Sequence, residues 1–170
     1  MHIRPLTEAD AAEYRALMLQ AYELAADAFT STAQERAVEP LGWWVQRIAD
    51  PEQLRRAFGA FVDGALAGTV AIEYSAKPKT RHKALVIGMY VVPVQRGQGL
   101  ARALLDRAIE HARARGGVLA LQLTVTDGNA EAIGLYRSVG FEAFGREPMA
   151  IYTGSGFKAK LHMQMSLATD

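Results

Sequence analysis

Residues 91–101, with the sequence VVPVQRGQGLA, restrict the possible folds of this chain more than any other segment. An apolar run closes at Pro93, a turn with two glycines follows, and an amphipathic helix opens at Leu100. A strand that leads directly into a helix predicts a layered α/β fold, in which helices pack on a sheet. Gly97 and Gly99 also let a ligand approach the backbone closely.

The hydrophobic periodicity of the remaining chain predicts antiparallel strands first and alternating strands and helices afterwards. No repeat or low-complexity tract interrupts it, so we expect one domain over residues 1–170. Leu119, Leu121 and Leu123 are expected to share one face of their strand. The predicted strands are 1–6, 58–62, 66–75, 84–92, 118–125, 141–145 and 160–167, and the predicted helices end near Ala28, at Asp50, at Gly116 and at Val139.

Composition excludes several classes of chemistry. The chain has no cysteine, which excludes disulfides, thiolate metal sites and a cysteine nucleophile. Its four histidines fall in no zinc-ligand spacing, so we expect no metal centre. No apolar run reaches the length of a membrane span and no signal segment opens the chain, so we expect a cytoplasmic protein without a membrane partner.

The charge of the chain is unevenly distributed. The net charge of +1 argues against a nucleic-acid partner. Residues 76–115, however, carry nine basic side chains against Asp106 and Glu110, which gives a local charge of +7. Such an excess of positive charge indicates either a solvated face or a binding site for a phosphorylated ligand.

The turn within 91–101 supplies the groups that a phosphate needs. Backbone N–H groups at the start of a helix lack partners within the helix and lie at the positive end of its dipole. The segment is not a P-loop, because no Gly-Lys-Ser/Thr follows. It is not a dinucleotide fingerprint either, because Arg102 stands where a third glycine is required. A turn that uses glycine for geometry alone is the alternative.

A second segment, NAEAIGLYRSVGF at 129–141, predicts a helix that ends at Gly140. Together the two segments resemble the GNAT superfamily of acetyl-CoA-dependent N-acetyltransferases. The resemblance covers residues 58–145 and implies an α/β GNAT fold, with a mixed, mostly antiparallel central sheet of about six to seven strands flanked by about four helices. The residues that carry it are Val91, Val92, Pro93, Arg96, Gly97, Gly99, Ala101, Leu121, Leu123, Val125, Asn129, Ala132, Leu135, Tyr136, Gly140 and Phe141.

The resemblance also implies where acetyl-CoA would bind. In this family the strand before the glycine turn splays from its neighbour, and its backbone receives the pantetheine arm and the acetyl group. Tyr136 is the implied catalytic acid, because a phenol near the sulfur can protonate the departing thiolate. The implied cofactor-binding residues are Tyr90, Val91, Val92, Arg96, Gly97, Gln98, Gly99, Leu100, Ala101, Arg102, Asn129 and Tyr136.

The general base has no single implied position, since members of the family differ here. The strand over 84–92 contains no acid. Glu73 on the preceding strand is the best candidate, with a solvent-facing role as the alternative, and Glu23 is a lesser candidate. Alternation places Glu73 on the face of Ala71 and Ser75, but it leaves open which face borders the cleft.

The acceptor is expected to contact the parts of the chain outside the common core. These are the loop 29–41, the Trp43-Trp44 pair and the glycine-containing link 152–158. Core packing is the alternative for at least one of the two tryptophans. The predicted substrate-binding residues are Phe29, Trp43 and Tyr152.

These features predict an enzyme that transfers an acetyl group from acetyl-CoA to the primary amine of a small molecule, by direct attack in a ternary complex. An acetyltransferase for a protein N-terminus or a lysine is the first alternative. A non-catalytic CoA-binding regulatory domain is the second. Because the family often dimerises through its C-terminal strands, a homodimer is an open expectation.

Overall fold

The computed structural model describes residues 1–168, and these residues include seven strands. The strands are β1 His2–Pro5, β2 Arg55–Val62, β3 Ala65–Tyr74, β4 Lys83–Val91, β5 Ala120–Thr126, β6 Glu142–Tyr152 and β7 Phe157–Ser166. They form one sheet in the order β1-β2-β3-β4-β5-β7-β6, in which β4 and β5 run parallel and the other neighbours run antiparallel. The predicted mixed, mostly antiparallel sheet is confirmed.

Five α-helices occur within the described residues, and four of them have eight residues or more. They are α1 Ala11–Leu24, α2 Ala33–Ala37, α3 Leu41–Ile48, α4 Leu100–Ala114 and α5 Ala130–Ser138. Within 1–168, no helix combines the length and the apolar character that crossing a bilayer requires. The first helix ends earlier than predicted, because a separate 3₁₀ turn, Ala26–Ala28, follows it. α2 lies inside the predicted loop 29–41, where Thr32 and Glu35 form a capping box.

The sheet separates two apolar clusters, because successive residues of a strand point to opposite faces. On one face, Phe58, Val70 and Ile72 belong to the cluster that includes the buried side chains of α4 and α5. On the other face, Ala57 and Ala71 belong to the cluster that includes those of α1 and α3. By the same alternation, Glu73 lies on the face covered by α1 and α3.

Three predictions about the C-terminal half are wrong. β6 is twice as long as predicted, and residues 152–158, predicted as a link, are the tip of the hairpin that joins β6 to β7. Most of β6 is exposed, so its sequence lacks the alternation of a half-buried strand. Leu119 does not share the buried face of Leu121 and Leu123. It precedes β5 and is 54% exposed.

The pairing between β4 and β5 stops soon after it begins. It joins residues 83–85 of β4 to residues 120–122 of β5. Beyond these pairs, residues 86–91 and 123–126 continue as strands without pairing to each other. The sheet therefore contains a gap near its middle, as the resemblance implied.

A bulge in β4 lies beside this gap. The register between β3 and β4 shifts between the pairs Thr69–Tyr90 and Ala71–Ile87. Gly88 lies in the bulge with a φ of +63°, a left-handed conformation that favours glycine. The bulge changes the direction of β4 where it leaves β5.

Candidate active site

The gap between β4 and β5 opens into a cleft of about 580 Å³. Its walls include residues 86–91 of β4, 124–126 of β5, the glycine turn and the first two turns of α5. Phe29 and its neighbours, which belong to the α1 and α3 face, complete the lining. Because elements from both faces line it, the cleft extends through the sheet.

The glycine turn forms one end of the cleft. Gly97 and Gly99 both have left-handed φ angles, +74° and +82°, and Gly99 is the N-cap of α4. A Cβ at either position would meet no atom within 4 Å, so backbone conformation rather than crowding requires glycine here. The first hydrogen bond of α4 runs from the N–H of Ala103 to the carbonyl of Gly99. The N–H groups before Ala103 are thus available to an anion.

Two arginines of the basic segment flank this turn and line the cleft. The Nε of Arg96 donates a 3.0 Å hydrogen bond to the carbonyl oxygen of Val91, which ties the turn to the end of β4. The Nε of Arg102 is 3.0 Å from both carboxylate oxygens of Asp106, one helical turn later. Each guanidinium keeps further N–H groups that can donate hydrogen bonds, and each carries a positive charge beside the turn.

Asn129 and Tyr136 line the cleft from α5. The side-chain oxygen of Asn129 caps the helix by accepting a 3.2 Å hydrogen bond from the N–H of Ala132. This leaves the NH₂ group of the Asn129 amide as a donor. The cap therefore fixes the position of the side chain at the border of the cleft.

Tyr136 is buried, with 8% of its surface exposed, and its ring packs edge-on against Phe141 at a centroid distance of 6.0 Å. Burial raises the pKa of Tyr136 to about 12, because the phenolate would be poorly solvated. The side chain is therefore a neutral phenol near pH 7, able to donate a proton or a hydrogen bond into the cleft.

A sequence model of the Acetyltransferase (GNAT) family matches residues 18–141, which contain the gap, the glycine turn and Tyr136. The chain belongs to the GNAT family.

Two relatives that are named as acetyltransferases are similar over part of the chain. Streptothricin acetyltransferase from Streptomyces lavendulae is 37% identical over 105 residues, which cover 62% of this chain and 53% of the relative. L-amino acid N-acetyltransferase AaaT from Escherichia coli strain K12 is 32% identical over 102 residues, which cover 60% of this chain and 62% of the relative. The chain thus spans less than two thirds of the length of either relative.

A solved structure shares the whole fold. The structure of yncA from Salmonella typhimurium, determined with its cofactor acetyl-CoA, matches 100% of this chain and 95% of its own, with a TM-score of 0.82 and 24% sequence identity. This similarity shows that the seven-stranded sheet with its flanking helices is a GNAT fold.

Ten of the twelve cofactor-binding residues implied by the GNAT resemblance line the cleft. The two others do not. Gln98 is exposed at the outside of the turn, and the N–H of Val92 donates to the carbonyl of Ala67 on β3. Tyr90 lines the cleft with a buried hydroxyl that has no hydrogen-bond partner among residues 1–168. Burial raises the pKa of Tyr90, and the nearby Arg96 opposes this rise.

The carboxylate predicted as the base lies outside the cleft lining. The Oε2 of Glu73 is 2.8 Å from the Nε of Arg55 on β2. The exposed fractions of the two side chains are 35% for Glu73 and 38% for Arg55. Glu23 does not line the cleft either. Within the described residues, the carboxylate that does line it is Glu131, in the first turn of α5.

The three predicted substrate-binding residues have different positions. Phe29 lines the cleft and packs edge-on against Tyr22 at 5.3 Å. Trp43 lies outside the lining, and two arginines stack on its ring, while Trp44 is fully buried in the core. Tyr152 is exposed at the tip of the hairpin between β6 and β7 and does not reach the cleft.

The structure adds lining residues that sequence reasoning missed. Thr124 and Thr126 line the cleft from β5. Lys160 lines it from β7, where it pairs with Thr126 across the two strands. Burial lowers the pKa of Lys160, and Glu147 opposes this shift. Polar residues in closing strands carry no signal for a site in the sequence, because the pairing of β5 with β7 brings them to the gap.

Proposed function

We propose that the protein is an acetyl-CoA-dependent N-acetyltransferase that transfers an acetyl group to the primary amine of a small molecule. One observation carries the proposal: the gap between β4 and β5 connects the glycine turn on one face of the sheet with Phe29 on the other face. Two ligands can therefore meet inside the gap without passing each other. That arrangement suits direct transfer in a ternary complex.

The cofactor half of the cleft fits acetyl-CoA. The free N–H groups at the start of α4, with Arg96 and Arg102 nearby, suit a pyrophosphate. The open space around Gly97 and Gly99 leaves room for it. The unpaired backbone of β4 and the amide of Asn129 provide hydrogen bonds for the pantetheine arm.

The chemistry of transfer can be assigned to groups at the gap. A backbone N–H of β4 would stabilise the oxyanion that forms when the amine attacks the thioester. The neutral phenol of Tyr136 would donate its proton to the sulfur as the carbon–sulfur bond breaks. The acyl group passes directly to the amine, which agrees with a chain that lacks cysteine.

Glu73 remains a proposal for the base, in a modified form. Because it lies outside the cleft lining and pairs with Arg55, it would accept the proton of the ammonium only through ordered water. An unchanged acidic limb of the pH–kcat profile in Glu73→Gln would exclude this role.

The exposed hairpin of β6 and β7 supports the proposed homodimer. β6 is the outer strand of the sheet, and Phe144, Met149 and Phe157 of the hairpin are exposed. An exposed strand edge with apolar side chains is a surface that a second copy can cover. A monomer mass by sedimentation equilibrium at micromolar concentration would rule the dimer out.

The function is tested with a panel of amines that includes amino acids, polyamines, aminoglycosides and short peptides, with detection of the CoA thiol released from acetyl-CoA. We expect release with at least one class of small amine. Release with peptides alone would assign the protein-acetylating alternative. Acetyl-CoA binding without any release would favour the regulatory domain.

A further inference from the structure

A second cavity, of about 190 Å³, adjoins the cleft on the face covered by α1 and α3. The two share Phe29, Thr30, Ile87 and Gly88 in their linings. The shared residues include the bulge of β4, which borders the gap. A molecule whose amine lies at the gap on this face can therefore extend its remaining part into the second cavity.

Two guanidinium groups line this cavity, Arg47 from α3 and Arg55 from β2. The hydroxyl of Tyr14 lies near both of them. Burial raises the pKa of Tyr14 to about 12, and the charge of Arg47, a hydrogen bond with Arg47 and the charge of Arg55 oppose that rise. No Asp or Glu belongs to the cavity lining within residues 1–168, and although Glu73 offsets the charge of Arg55, the charge of Arg47 keeps the cavity positive.

Arg47 and Arg55 differ in their partners. Arg55 forms an ion pair with Glu73. Arg47 instead stacks on Trp43, with its guanidinium carbon 4.6 Å from the ring centroid, and no carboxylate pairs with it in the part of the chain described. Its Nε is buried without a hydrogen-bond acceptor there. The side chain as a whole is only partly buried and lines the cavity, so its other N–H groups are the ones that an anionic ligand there could accept hydrogen bonds from.

Stacking on Trp43 explains the orientation of Arg47 but satisfies none of its N–H groups. A planar guanidinium held in one orientation presents paired donors that match the two oxygens of a carboxylate. The cavity is small, and Phe29, Met18 and Tyr22 line it beside the arginines. It therefore suits a carboxylate attached to a short organic group.

We propose that the acceptor is an amino acid, whose carboxylate binds Arg47 in the second cavity, with Arg55 assisting, while its amine lies at the gap. This inference rests on the proposed acetyltransferase function. Arg47 then determines specificity, because an amine without the carboxylate offers the guanidinium no anionic partner. A site built for a polar group discriminates strongly against analogues that lack it.

The test compares the L-amino acids with their α-amides, which keep the amine and the side chain but lack the negative charge. For the best amino acid, wild-type kcat/KM should exceed that of its amide by about 100-fold. Arg47→Gln should lower kcat/KM for the amino acid by a similar factor and change the amide by less than about threefold. Arg47→Lys should restore part of the loss, since it keeps the charge without the planar fork.

Arg113→Gln is the matched control, because it removes the same charge from the exposed surface of α4. It should leave both substrates unaffected. Equal losses for the amino acid and the amide in Arg47→Gln, or no preference for the amino acid in the wild type, would overturn the inference while leaving the acetyltransferase function in place.

Calorimetry separates this inference from a failure of the function itself. The L-amino acids are titrated into wild type and Arg47→Gln, both saturated with CoA. Binding that depends on Arg47, without thiol release from acetyl-CoA, would support the carboxylate site and reject the acetyltransferase. Equal binding to both proteins would reject the site.

Discussion

The two halves of the cleft are built from different parts of the polypeptide. The proposed cofactor half consists mainly of backbone groups, namely the N–H groups of the glycine turn and the unpaired edge of β4. The proposed acceptor half, taken together with the adjoining second cavity, consists of side chains, including Phe29, Arg47 and Arg55, which come from three separate elements or loops. One half therefore depends on local conformation, and the other depends on how distant segments pack.

This difference determines which substitutions each half tolerates. A backbone site is sensitive to any side chain that strains or blocks the main chain, whereas its own side chains can vary. A side-chain site depends on the identity of each residue. Three substitutions and the ionisation of one side chain, from the largest expected effect to the smallest, test this division.

Gly99→Glu should have the largest effect, a loss of about 100-fold or more in affinity for acetyl-CoA. Glutamate at this position would strain a φ of +82° and place a negative charge where the pyrophosphate should bind. Calorimetry with acetyl-CoA measures the loss. Gly116→Glu is the matched control, since Gly116 has a φ of +72° and equally open surroundings at the other end of α4. Equal affinity in the two variants would reject the anion site.

Tyr136→Phe should lower kcat by about 100-fold and leave the Kd for acetyl-CoA within about twofold. The variant keeps the ring that packs on Phe141 and removes only the donor hydroxyl. Steady-state kinetics and calorimetry give the two values. Tyr152→Phe, at the exposed hairpin tip, serves as control. A Tyr136→Phe enzyme with full turnover would remove the proposed acid.

Phe29→Ala should raise the KM for the acceptor by about tenfold and leave the affinity for acetyl-CoA unchanged, because Phe29 lines the acceptor side of the cleft. Tyr152→Ala should change neither value by more than about twofold. If Phe29→Ala and Tyr152→Ala raise the KM equally, the hairpin tip also contacts the acceptor, and the assignment of residues to the two halves is wrong.

The smallest effect concerns the ionisation of Tyr136. Its pKa of about 12 lies above the ordinary tyrosine value, so the folded state favours the neutral phenol. The resulting contribution to stability is complete below about pH 10 and is lost between about pH 10 and pH 12. At pH 10.5 the folded wild type and Tyr136→Phe should show nearly equal phenolate absorbance.

Unfolding both proteins in urea at pH 10.5 provides the reference. An ordinary tyrosine is about three-quarters ionised at this pH, so the unfolded wild type should exceed the variant by most of one phenolate. A difference of that size in the folded proteins would show that Tyr136 ionises freely and is a weaker candidate for the acid.

The same division explains how much the sequence predicted. The strand, the glycine turn and α4 are contiguous, so residues 91–101 predicted their order from local pattern, while the anion site stays a prediction. The helix that follows Asn129 was predicted in the same way, and the roles of Asn129 and Tyr136, which six residues separate, were implied by the GNAT resemblance.

The acceptor half lacks such local signals. Arg47 and Arg55 look like solvated charges on a helix and a strand, and only packing across α1, α3 and β2 brings them to one cavity. Trp43 and Tyr152 were expected to contact the acceptor because they lie outside the common core of the family, but neither reaches the cleft. Alternation placed Glu73 on one face of β3 but did not show which elements cover that face. The structure shows that α1 and α3 cover it.

The gap in the sheet creates an edge strand in the interior of the molecule. Unpaired strand edges usually promote association between chains, and proteins protect them with charges, prolines or covering loops. Along residues 86–91, the unpaired edge of β4 lines the cleft together with residues of α5 and of the loop before α2. It lies between two strands of one sheet, and so differs from the outer edges of the sheet at β1 and β6.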